Sequence, residues 1–174
     1  MRFAILPTLL LSSLLLAGSV SAADNEGERI QSLDGKWSFT TDPAMVEKSS
    51  ASWDTLEVPG NWDVQPAYST HRGKGWYQRE FTVPADWKGR QVRLVFDAVY
   101  HEATVTLNGQ TLGSHTGGYT PFEFNVSNAL KYGEANTIQV CADNTYGRGA
   151  WWPWGGISRS VYLVADSDAR IVWQ

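Results

Sequence analysis

The chain has 174 residues, nine of them tryptophan, and carries 14 Lys+Arg against 18 Asp+Glu for a formal net charge of −4. That mild acidity, with no Lys/Arg stripe, argues against nucleic acid or an anionic membrane surface as partner. A single cysteine, Cys141, excludes an intrachain disulfide, so the fold must be held by its apolar core.

The first residues read as a leader. A positive start, Met1-Arg2, precedes an apolar run from Phe3 to Leu16, which is too short to span a bilayer comfortably. Small residues follow, ending Val20-Ser21-Ala22-Ala23, the pattern of a cleaved secretory signal peptide over residues 1–22. Polar Asp24, Asn25 and Glu26 come next instead of a stop-transfer pattern, and no cysteine is placed there for lipidation. The expectation is an exported protein, periplasmic or extracellular, free of membrane after cleavage, with one mature domain at 23–174.

Beyond the leader, no long 3.6-residue period appears. Short runs of period two, bounded by Gly, Pro, Asn and Asp, predict strands. They cover Gly35 to Thr40, Leu56 to Val58, Trp76 to Val83, Gln91 to Phe96, Ala103 to Leu107, Gln110 to Gly113, Phe122 to Val126, Asn136 to Ala142 and Ser160 to Ala165. Arg170 to Trp173 reads as the start of another. Asn108-Gly109 between two such runs signals a type I′ hairpin. Many short strands without intervening helices imply an all-β fold, an antiparallel two-sheet β-sandwich of the jelly-roll kind. Pro43 to Trp53 and Asp63 to Lys74 are long connections, the kind that carry binding on a rigid sandwich. Trp37, Trp76, Tyr77, Phe81, Phe122 and Phe124 fall at strand spacing and are expected in the core. Cys141, in the apolar run Ile138 to Cys141, is expected as a buried small hydrophobe.

Five segments, in order, resemble the N-terminal sugar-binding domain of family 2 glycoside hydrolases, the family of β-galactosidases, β-glucuronidases and β-mannosidases. They are Leu33-Asp34-Gly35-Lys36-Trp37-Ser38-Phe39, Val58-Pro59-Gly60-Asn61-Trp62, Gly75-Trp76-Tyr77-Gln78-Arg79-Glu80-Phe81, Val105 to Gly109 with His115 to Phe122, and Trp151 to Val161. The resemblance implies a jelly-roll, galactose-binding-domain-like sandwich serving a retaining hydrolase of β-linked sugars. Such an enzyme works with two glutamates, an acid/base and a nucleophile. In the family these lie on a (β/α)₈ barrel of about 250 residues. No such barrel is present in the chain, and Glu57, Glu80, Glu102, Glu123 and Glu134 read as solvent-facing. No catalytic residue is therefore expected here, and the partners expected are a β-glycoside and the C-terminal catalytic domains of the same enzyme. The alternative is a stand-alone secreted carbohydrate-binding module.

Family members often place an Asp six positions before the Gly of "G-I-x-R". Here that Gly is Gly156 and the position holds Ala150. The expected substrate-binding residues are therefore Trp151, Trp152 and Trp154, flanked by Arg148, Asn144 and Asp143. Neighbouring residues of one strand point to opposite faces, so the three tryptophans cannot all be inward. They read either as an aromatic platform for a sugar ring or as a surface buried against the catalytic domain. Arg159 is expected to meet an acid or the next domain. His71, His101 and His115 lie too far apart for a local metal signature, and no cofactor motif is present. No metal or cofactor is expected.

Overall fold

A computed structural model describes residues 27–46, 49–145 and 154–166. Their strands are β1 (Arg29–Ser32), β2 (Gly35–Thr40), β3 (Asp54–Val58), β4 (Lys74–Thr82), β5 (Val92–Phe96), β6 (Glu102–Leu107), β7 (Gln110–Thr116), β8 (Phe122–Asn125), β9 (Ala135–Asp143) and β10 (Val161–Ala165). Among the described residues, helix is confined to Pro43–Val46 and to single 3₁₀ turns such as Trp62–Val64 and Pro66–Tyr68. Two sheets form, ordered β1-β10-β5-β8 and β3-β2-β4-β9-β6-β7. Every strand pairing within them is antiparallel. The all-β sandwich expected from the alternating runs is the fold observed.

The inward positions of both sheets make one core. Trp37, Phe39, Tyr77, Val105, Val140 and Ile138 of the six-stranded sheet meet Leu94, Phe96, Val161 and Leu163 of the other. A fully buried large apolar side chain stabilises by roughly 1.5–3 kcal/mol, so this layer dominates. Phe122 and Phe124 are half-buried against it, with the Phe122 ring stacked on Phe96 at 4.9 Å.

The β6–β7 turn has positive φ at both central residues, 51° at Asn108 and 81° at Gly109, as a type I′ hairpin requires. Asn108 also ties the hairpin to β9. Its N–H donates to the Thr137 carbonyl at 2.8 Å, and its Oδ1 accepts from the Thr137 N–H at 3.0 Å. Its Nδ2 donates to the carbonyl of Ala129 and to Oδ1 of buried Asn136, both at 2.8 Å.

Three expectations need correction. Trp76 is not core: it pairs with Cys141 and Thr40 on the outer face of the six-stranded sheet, because Gly75, Tyr77 and Phe81 take the inward parity. Cys141 shares that outer face and is half-buried. Burial, with the nearby Asp143 carboxylate adding and Lys74 opposing, pushes its thiol up to about 11. Strand β1 went unrecognised because its pattern is inverted. Ile30 points outward, 64% exposed, while Gln31 turns in and donates through Nε2 to the Thr82 carbonyl at 2.9 Å. The segment 170–173 lies outside the described residues.

Candidate functional site

The end of the sandwich at Val58, Lys74, Glu102 and Asp143 is a rim closed by the long connection from Pro59 to Gly73. That connection is laced to the segment entering β10. The N–H of Gly60 donates to the Ile157 carbonyl at 2.8 Å, and that of Trp62 to the Gly155 carbonyl at 2.9 Å. The N–H of Tyr100 donates to the Gly156 carbonyl at 2.9 Å. Trp62 lies fully buried beneath, its ring 5.7 Å from Phe39 and 5.6 Å from His71.

Two glycines permit this approach. A Cβ on Gly155 would come within 2.0 Å of the Trp62 ring. One on Gly156, at φ +125°, would come within 2.6 Å of the Tyr77 hydroxyl. The Gly155-Gly156 pair that opens the sequence motif is thus a packing requirement.

Asp63 is the electrostatic anchor. Its side chain is 1% exposed. Oδ2 accepts the Gly155 N–H at 2.5 Å, and Oδ1 accepts Nη1 of Arg72 at 2.9 Å. A buried carboxylate with no donor would be costly; here both oxygens are satisfied. The carboxylate therefore fixes the backbone immediately after Trp154.

Of the residues expected from sequence, Arg148, Trp151 and Trp152 lie outside the described residues, as does Ala150. The other three are placed at this rim. Asp143 ends β9, and its Oδ1 accepts from the Thr145 N–H at 2.8 Å and the Thr145 hydroxyl at 2.6 Å. Asn144 is 1% exposed, with Oδ1 accepting the Gly73 N–H at 2.8 Å and its own N–H donating to the Gly73 carbonyl at 3.1 Å. Asn144 thereby clamps the two loops together. Trp154 is 42% exposed. Val64 and Tyr119 are exposed on the same rim, with Tyr119 edge-on to Tyr100 at 5.6 Å. Arg159 is exposed.

Sequence reasoning missed Asp63, Arg72 and the structural role of Trp62. Asp63 is 92 positions from the N–H it accepts, so no local spacing reveals it. The Glu57, Glu80, Glu102, Glu123 and Glu134 side chains are exposed on outer faces or turns. Among the described residues, no group of three His, Cys, Asp or Glu is placed to hold a metal ion.

Residues 30–166 match the model of the glycosyl hydrolases family 2, sugar binding domain. The chain belongs to that family. This family 2 domain is 32% identical over 149 residues to a β-glucuronidase of Bacteroides fragilis, covering 80% of the chain and 21% of the relative. It is 31% identical over 150 residues to a β-galactosidase of Thermoanaerobacter pseudethanolicus, covering 81% and 20%. Among solved structures, Bacteroides uniformis β-glucuronidase superposes with a TM-score of 0.71 at 33% identity, over 79% of this chain and 18% of that one. The β-glucuronidase of Ruminococcus gnavus superposes at 0.75 with 26% identity, over 83% and 30%. The chain thus spans about a fifth of the length of the curated relatives it matches. Its fold and its kinship to the sugar-binding domain of family 2 are common to all of these.

Proposed function

We propose that this sandwich presents the rim that carries Asn144 and Trp154 to a β-linked sugar as part of an exported family 2 glycoside hydrolase whose hydrolytic step is carried out outside this chain. The observation that carries the reading is Trp154: an exposed indole on backbone held by the Asp63 carboxylate and by the Trp62–Gly155 hydrogen bond. A rigidly held aromatic face beside polar groups is what the apolar face of a sugar ring needs. The relatives supply the sugar classes to test. They include β-glucuronidases and β-galactosidases, and one Ruminococcus gnavus structure is a complex with D-glucuronic acid. Ala150 stands where family members often carry an acid, so the reading puts the main contact on aromatic stacking, with Asn144, Asp143 and Arg148 as the flanking polar groups.

The decisive experiment is calorimetry of the chain with β-glucuronides and β-galactosides. Trp154→Ala should weaken binding at least tenfold while shifting stability by no more than about 0.5 kcal/mol, the ordinary effect of a surface substitution. A parallel loss of melting temperature with unchanged binding sinks the platform reading and favours a surface meant for a neighbouring domain. Export rests on the leader at 1–22, and mass spectrometry of secreted material should find Ala23 at the N-terminus.

A further inference from the structure

The end of the sandwich opposite the rim carries two adjoining clefts. One, of about 440 Å³, lies between the Lys88–Gln91 turn and Asn125, Asn128 and Tyr132. The other, of about 380 Å³, lies between Gln110, Leu112 and the same two asparagines. Shared Asn125 and Asn128 join them into one groove, and each part falls within the roughly 300–1,000 Å³ of ligand sites.

The walls are fixed by their own hydrogen bonds. The Ser127 hydroxyl donates to Oδ1 of Asn125 at 2.8 Å and accepts the Val92 N–H at 2.9 Å. The hydroxyl of half-buried Tyr132 donates to the Ser127 carbonyl at 3.0 Å. By contrast, Gln91, Gln110 and Asn128 are exposed residues. Primary amides both donate and accept, as sugar hydroxyls do.

Charge narrows the ligand. The chain is net −4, yet the groove is lined by Lys88 and Arg90 and by no carboxylate. Arg90 donates to the Asp166 carbonyl at 3.4 Å, whereas Lys88 is exposed at the lip. We infer that this groove binds an extended oligosaccharide bearing anionic groups, carboxylate or sulfate, with Lys88 meeting the charge and the amides of Gln91, Gln110 and Asn128 meeting ring hydroxyls. The site is separate from the rim and does not depend on the function proposed for it.

The test is affinity electrophoresis and calorimetry of the full chain with polygalacturonate, dextran sulfate, neutral galactan and duplex DNA. At least one anionic polysaccharide should bind tenfold or more tighter than galactan, and the two anionic probes tell carboxylate from sulfate. That binding should weaken with salt, as screening of an exposed charge requires. The double variant K88Q/N128A, at two exposed positions, should keep its melting temperature and lose at least tenfold in affinity. W154A should leave this binding intact. The proposal is overturned by failure to bind either anionic probe, by equal binding of galactan or of DNA, by an unaffected double variant, or by loss in W154A, which would move the ligand to the rim.

Discussion

The two ends of the sandwich are built in different ways. At the rim, loops far apart in sequence are joined by backbone and by two buried side chains: the Trp62 N–H donates to the Gly155 carbonyl, the Asp63 carboxylate accepts the Gly155 N–H, and Asn144 bonds Gly73. At the opposite end, closure runs through asparagine side chains, with Asn108 reaching Ala129, Asn136 and Thr137. Asn136 accepts the Lys131 N–H and donates to the carbonyls of Lys131 and Glu134, and Asn125 caps Ser127. A rim held by backbone contacts, close-packed glycines and the buried side chains of Asp63 and Asn144 leaves its exposed side chains available to vary in chemistry. An end held by side chains is committed at those positions and offers a ligand only the ones left over.

The largest expected effect tests the rim. Gly155→Ala forces a methyl into the Trp62 ring and should cost about 3 kcal/mol in urea unfolding, the upper part of the overpacking range. A loss under about 1 kcal/mol would show that the ring can move aside and that the rim is less rigid than its partner. Next comes Asn136→Ala at the other end, which removes a fully buried amide bonded to the Lys131 N–H, to the carbonyls of Lys131 and Glu134 and to the Asn108 amide, and should cost about 2–3 kcal/mol. If the two ends are independent, it should leave sugar binding at Trp154 untouched. The smallest effect concerns Cys141, two residues before the rim on the outer face. Its thiol is raised from 9.0 to about 11 by burial, so at pH 8 the folded chain holds less thiolate than the unfolded one. Alkylation in the native state should be at least tenfold slower than in urea at pH 8, with the gap closing as pH climbs toward 11. The sign follows from linkage: a raised native pKa favours the neutral form, so its stabilisation is complete below pH 9 and lost as pH rises through 11. Equal rates in both states would show the thiol to be open to solvent.

Much of this was legible in the sequence, and the failures have physical causes. Nine of the ten strands among the described residues announce themselves by their apolar patterning, and the Asn108-Gly109 turn by its composition, because those signals are local. Strand β1 hides because as an edge strand it carries Ile30 outward and Gln31 inward. Trp76 and Tyr77 are adjacent aromatics on a strand, so one had to face away from the core, and only the position of Gly75 beneath Phe39 and Trp62 decides which. At the rim, the sequence pointed to the stretch from Asp143 to Trp154 through its crowd of tryptophans. It could not reveal that Asp63 holds the backbone there, since an acid in a loop looks the same whether it meets water or a peptide N–H 92 residues on.

The Asn108 turn has a further consequence, for the order in which the molecule is made. A two-stranded hairpin on its own is marginal in water, and this one shares four hydrogen bonds with Ala129, Asn136 and Thr137. During synthesis, the β6–β7 ribbon leaves the ribosome 20 to 30 residues before the groups that lock it, as the separations of 21, 28 and 29 positions require. The ribbon can therefore gain the bonds that fix its turn to its flank only once β9 has been made.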